Sequence, residues 1–184
     1  MTIPGVGVAT AVALVAVIGD VGRFARPSEL VGYLGLDPRV RQSGDRPAYT
    51  GHISRQGPSH ARGLLVEAAH AAVRVPGPLR AFYQRVRARR GSQIAVVATA
   101  RKLAIIVWHM LTAGEAYRWQ SPTRTATKLR RLELRFGSSA GPRAALAAVR
   151  PFGHRGEDTV LARAEEAYRL LVTSRQGNAR AAPA

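Results

Sequence analysis

The run from Ile94 to Leu111 constrains the fold more than any other stretch of this chain. Val96, Val97, Leu103, Ile105, Ile106, Val107 and Trp108 give it apolar side chains on nearly every face, with Arg101-Lys102 as a charged island. A helix of that kind has no polar side to turn to water, so it is expected at the centre of a core built from other helices. Two cations on such a helix need acidic partners or an aqueous rim. Composition agrees with a mainly α fold, because the helix formers Ala, Leu and Arg dominate while Phe and Tyr are sparse. At 184 residues and 46% apolar, the chain can bury a real core and carry a tail besides.

The chain opens Thr2-Ile3-Pro4-Gly5-Val6-Gly7 and then runs from Val8 to Ile18 with hardly a polar residue. This pattern describes a tight loop feeding a helix N-terminus. Gly5 and Gly7 would let backbone N–H groups approach a phosphate, and the helix dipole favours the anion. The arrangement resembles the hairpin of helix-hairpin-helix DNA-binding modules; the plainer reading is a Pro-Gly turn in front of a buried helix. The apolar run is too short to span a bilayer and lacks the basic leader of a signal peptide, so a soluble, cytoplasmic chain with no membrane partner is expected.

Pro27-Ser28-Glu29 predicts the start of a short helix that Gly35 ends. From Arg39 to Ile53 helical periodicity is lost. Val40, Tyr49 and Ile53, separated by Gly44-Asp45-Arg46-Pro47 and Gly51, predict a small hairpin or irregular insert. Arg39, Arg41, Arg46 and Arg55 crowd this segment around Ser43. Taken alone, Ser43-Gly44 is a turn and its arginines a solvated basic loop; a phosphate-handling loop is the sharper reading.

Gly57-Pro58-Ser59 starts another helix, with Leu64, Ala68 and Ala72 as its expected buried seam. Pro76-Gly77-Pro78 breaks it, and the next helix carries Leu79, Phe82, Tyr83 and Val86 inward until Gly91-Ser92. Ser121-Pro122-Thr123 marks a boundary. The expected organisation is a domain over residues 1–119 of about five helices, then a basic, partly helical extension over 120–184 of unassigned role. In that extension helical pieces are expected around Lys128 to Arg135 and from Pro142 to Val149. Asp158 is the expected cap of a last amphipathic helix reaching about Val172, with a frayed end from Gly177.

Lys and Arg total 28 against 11 acids, a net charge of +17. Such an excess repels itself unless it meets a polyanion, so nucleic acid is the expected partner. Only Lys102 and Lys128 are lysines, and arginine suits bidentate phosphate contacts. With no cysteine, disulfides, thiolate catalysis and cysteine-bound zinc are excluded. The five histidines lack metal-site spacing and acids are few, so no metal site is expected and a self-sufficient hydrolase or nuclease is disfavoured.

The order of motifs carries a further signal. Ile3-Pro4-Gly5-Val6-Gly7, Gly19-Asp20 with Phe24, Tyr33-Leu34-Gly35-Leu36-Asp37-Pro38 and Gln42-Ser43-Gly44 come in succession. They are followed by Gly51-His52-Ile53-Ser54-Arg55-Gln56-Gly57, Arg62, Ala100-Arg101-Lys102-Leu103 and Glu115-Ala116-Tyr117. The succession, from about Thr2 to Trp119, resembles the C-terminal, serine-bearing domain of insertion-sequence transposases of the 110/116/902 family, relatives of Piv-type DNA invertases. That resemblance implies a recombinase acting in DNA transposition, whose second, RuvC-like domain holds magnesium on four acids. It implies a serine that becomes linked to DNA while a structured guide RNA selects sites. Ser43 falls on the Ser-Gly motif and is the candidate nucleophile. Arg39, Arg41, Arg55 and Arg62 would neutralise part of the phosphate charge, and Gly5, Gly7, Arg46, Arg101 and Lys102 complete the expected nucleic-acid-binding set. On this reading the chain is a truncated form, inactive alone. It would need no cofactor itself, and magnesium would enter with a RuvC-like domain. A homo-oligomer is the other expected assembly. The competing expectations are a non-catalytic helix-hairpin-helix nucleic-acid-binding protein and a protein–protein module joined through its apolar helices.

Overall fold

The computed structural model describes residues 1–42, 49–136 and 154–181. In chain order it contains α1 (Val8–Ile18), a 3-10 turn (Val21–Arg23), α2 (Pro27–Tyr33), β1 (Pro38–Arg41), β2 (Tyr49–Ile53) and α3 (Ser59–Ala72). Then come α4 (Pro78–Ala113), α5 (Pro122–Phe136) and α6 (His154–Ala181). The fold is mainly helical, as composition predicts, with one two-stranded sheet among the described residues.

The N-terminal loop is a turn in which Val6 N–H donates to Ile3 O at 3.2 Å. Pro4 and Gly5 fill its central positions and Gly5 takes φ +82°, the requirement of a type II turn. Helix α1 follows and buries Leu14 and Ile18, but Val12 and Val15 are 63% and 55% exposed. At the start of α2, Glu29 Oε2 accepts at 2.8 Å from the N–H of Ala25, two residues before the helix, and so ties the entering chain to the first turn. Leu30, Val31, Leu34 and Leu36 then enter the core with essentially no exposure.

Helix α3 buries Ala61, Leu65, Ala68, Ala69 and Ala72. The seam therefore runs through Leu65, and the Leu64 expected there is half-buried. The small residues set the choice. The N-terminal turn presses on the backbone at Ala68 and Ala72, and Leu65 shares that face one turn earlier.

Helix α4 is two helical halves joined at Gly91, which has φ 82° and ψ 169°. Pro78, Leu79 and Phe82 line the same cleft as Ile106, His109 and Met110. In a straight helix Leu79 and Ile106 would stand roughly 40 Å apart, so the chain reverses at Gly91. The second half is the central helix predicted from Ile94 to Leu111, and it buries Ala95, Val96, Thr99, Ala100, Leu103 and Ala104. It is not buried all round: Ile94 and Leu111 are 51% and 39% exposed. Its neighbours cover one side of it, and Trp108 is tied there by donating Nε1–H to Phe24 O at 3.0 Å. By length and composition α4 is the one helix among the described residues that could cross a membrane.

Helices α5 and α6 fold back on the rest. Lys128 of α5 donates from Nζ to Met1 O, Ile3 O and Val6 O at 2.9, 3.3 and 2.9 Å. Burial and the neighbouring Arg124 lower its pKa. Buried Glu165 of α6 accepts from Gly77 N–H at 3.0 Å and pairs with Arg169 at 2.6 Å. Asp158 lies inside α6 and pairs with Arg124 at 3.0 Å, so it bridges two helices where a cap was expected; α6 starts earlier and runs past Val172 to Ala181. The Ala-rich piece from Pro142 to Val149 lies outside the described residues.

Candidate nucleic-acid interface

The segment that loses helical periodicity is a hairpin. Strands β1 and β2 are antiparallel, with Pro38 opposite Ile53, Val40 opposite Thr50 and Arg41 opposite Tyr49. The register slips by one residue between Pro38 and Val40, the mark of a bulge on the β2 side. Residues 42–48 join the strands. Ser43 and Arg46 lie among residues 43–48, outside the described residues, as does the Arg41 side chain.

What is described is the base of this hairpin, and it is clasped from several sides. Ser54 N–H donates to Asp37 O at 2.7 Å and Arg55 N–H to Gly35 O at 3.1 Å, continuing the pairing below the ladder. Gly35 and Gly57 let two backbones pass in contact. A Cβ on Gly35 would meet Gln56 O at 2.0 Å, and one on Gly57 would meet Tyr33 O at 2.0 Å. Both glycines have positive φ, +67° and +83°. Arg62 on α3 spans the crossing with Nη1, donating to Leu34 O at 3.2 Å and Gln56 O at 3.3 Å. From α4, Arg101 Nη2 pairs with Asp37 Oδ1 at 2.9 Å. The charged island in the apolar helix thus has its acidic partner on the hairpin.

The candidate cations divide by what they touch. Arg62 and Arg101 are committed to the clasp, and Arg39 Nη2 donates to Ser54 O at 3.0 Å from an exposed position. Arg55 is exposed, and its guanidinium has no hydrogen-bond partner among the described residues. It is also the one non-glycine residue there with positive φ, +58°. Lys102, adjacent to Arg101, faces elsewhere: it is exposed and lines the cleft between the halves of α4.

At the N-terminal loop, Gly5 is held against α3, where a Cβ would lie 2.3 Å from Ala68 O. Gly7 sits in open space before α1, and no side chain caps that helix N-terminus. Lys128 takes the loop's carbonyls at Met1, Ile3 and Val6. Among the described residues no group of three His, Asp or Glu side chains comes together to hold a metal ion, so these residues do not fit magnesium.

Sequence reasoning missed the Arg101–Asp37 pair, the Lys128 anchor and the backbone crossing. Each left a trace in the sequence: an isolated cation pair in an apolar helix, one of two lysines in an arginine-rich chain, and glycines closing both flanks of the insert.

Residues 1–84 match the sequence model of the Transposase IS116/IS110/IS902 family. Two of the relatives below are insertion-sequence transposases, and the third is an uncharacterized protein of an insertion element. The transposase for insertion sequence element IS1111A of Coxiella burnetii is 37% identical over 121 residues, covering 64% of this chain and 33% of the relative. The transposase for insertion sequence element IS1328 of Yersinia enterocolitica is 31% identical over 121 residues, 64% of this chain and 36% of the relative. The insertion element IS110 43.6 kDa protein of Streptomyces coelicolor is 30% identical over 122 residues, 66% of this chain and 30% of the relative. The chain spans about a third of the length of the curated relatives it matches.

Proposed function

We propose that this chain is the DNA-engaging, serine-bearing domain of an insertion-sequence transposase. The observation that carries the reading is the clasped hairpin: Gly35, Gly57, Arg62 and the Asp37–Arg101 pair hold fast the base of the loop that contains Ser43. Rigid support of a reactive loop is what positioning a nucleophile against a phosphate needs. Ser43 Oγ attacks a DNA phosphorus, a serine–phosphate bond forms, and the bond to one deoxyribose oxygen breaks. The hydroxyl proton leaves as Oγ attacks, and the departing oxygen takes up a proton. Arg55, exposed at the foot of the loop, meets phosphate charge, as do the uncapped amides of α1 in the manner of a helix-hairpin-helix hairpin. The acids and magnesium that complete the chemistry belong to a RuvC-like domain, and a structured guide RNA selects the site.

The test uses the chain alone and the chain combined with a separately expressed RuvC-like domain, guide RNA and magnesium. Alone it should bind duplex DNA, more weakly as salt rises, and leave supercoiled plasmid uncut. Combined, it should yield protein-linked DNA that Ser43→Ala abolishes without loss of binding. Linkage that survives Ser43→Ala would overturn the assignment of the nucleophile. Binding with no linkage in the combined reaction would favour a non-catalytic DNA-binding protein, and no binding even at low salt would overturn both readings.

A further inference from the structure

A cleft of about 660 Å³ opens between the two halves of α4, the segment from Glu115 to Trp119, and α6. It lies outside the hairpin and its clasp. Four aromatic rings line it, those of Phe82, Tyr117, Trp119 and Tyr168. Cations stand at these rings: Arg85 is 5.4 Å from the Phe82 centroid and 5.9 Å from that of Tyr168, and Arg118 is 5.6 Å from that of Trp119. Lys102 lines the cleft too, exposed and without a hydrogen-bond partner among the described residues. Against these positive groups the lining holds one acid, Glu115.

A merely apolar groove would suit a peptide or a second copy of the chain. This one joins ring faces to a surplus of positive charge, in a chain whose net charge of +17 disfavours a second copy as its occupant. Flat aromatic surfaces beside guanidinium and ammonium groups match a ligand that is planar and apolar on its faces and anionic along its edge. An unstacked nucleobase on its phosphate strand has that chemistry, and the volume suits a nucleotide-sized group. We infer that the cleft binds an unstacked base of single-stranded nucleic acid, the ring stacking on Trp119 or Tyr168 and the phosphate meeting Lys102 and Arg118. The inference does not depend on Ser43. It shares with the proposed function only the choice of a nucleic acid as partner.

The experiment is a tryptophan-fluorescence titration of the whole chain at low salt with oligothymidylate, oligouridylate and a short duplex. Saturable quenching is expected with a single strand, and the DNA and RNA arms identify which backbone is preferred. Trp119→Phe should remove the quenching although Trp108 remains. Tyr168→Ala should weaken single-strand binding about tenfold, the scale of one lost stacking contact, and leave duplex binding unchanged. Tyr168→Phe, which keeps the ring, should bind as wild type and controls for folding. The inference is overturned if neither single strand quenches, if quenching survives Trp119→Phe, or if Tyr168→Ala weakens duplex and single strand alike. Duplex binding in the same titration tests the DNA partnership separately, so the two readings can fail independently.

Discussion

At the scale of single residues, Arg55 and Gly57 show how differently neighbouring positions of one motif are used. Arg55 holds φ +58°, where its Cβ is crowded by the backbone, while its side chain is exposed and unpaired among the described residues. Arginine in a conformation that glycine adopts freely carries local backbone strain. Arg55→Gly should raise unfolding stability by about 1 kcal/mol in urea titration and weaken DNA binding with a shallower salt dependence. Gly57 has the opposite constraint. Tyr33 O would lie 2.0 Å from an added Cβ, and both atoms belong to backbones that cannot swing aside. Gly57→Ala should cost about 3 kcal/mol or more, measured the same way, with the hairpin losing its seat. The sequence showed both residues inside one recognisable motif. It could not separate them, because free charge and close approach depend on what Tyr33 and Gln56 do across the chain.

At the scale of elements, α5 is held to the N-terminal loop by an unusual anchor. A single ammonium satisfies three carbonyls, those of Met1, Ile3 and Val6, and no other residue type offers three donors on so narrow a head. Lys128→Met should therefore destabilise the fold by about 1–2 kcal/mol, the value of charge-assisted hydrogen bonds discounted for partial exposure. Lys128→Arg should fail to restore it in thermal unfolding, since a planar fork does not fit the trio. Element positions were largely legible: Pro27-Ser28-Glu29, Gly57-Pro58-Ser59 and Gly91-Ser92 each mark a real start or reversal. Burial was less so. Val12, Val15, Ile94 and Leu111 look like core in the sequence and are exposed, because how many sides of a helix are covered is fixed by its neighbours.

At the scale of the whole molecule, the core runs from the N-terminal turn through α2 and α3 to Tyr117 beyond α4. Tyr117 is buried to 8% exposure, and burial pushes its phenol up to about 12 from 10. Below pH 10 it is neutral in folded and unfolded chains alike. Above that the unfolded chain loses the proton first, so stability falls as pH rises towards 12. Two units correspond to about 2–3 kcal/mol over the whole span, of which about 1.4 kcal/mol is lost by pH 11, and Tyr117→Phe should remove that loss when urea midpoints at pH 9 and pH 11 are compared. The family resemblance over residues 1–84 was readable from ordered motifs because short backbone demands fix them in place. The cleft was not, since its walls come from three stretches well separated in sequence, residues 78–82, 102–119 and 164–168, that meet only after the chain reverses at Gly91.

The clasp below the hairpin also bears on how such a chain can change over time. With both ends of residues 42–48 pinned at their foot, a longer connection perturbs nothing beneath it. Doubling its length adds only about 0.6 kcal/mol of closure entropy. The foot behaves as a socket and the connection as an exchangeable insert. Loops of different length and composition can be fitted there while α2, α3 and α4 keep their packing, so the connection can drift in sequence without endangering the fold.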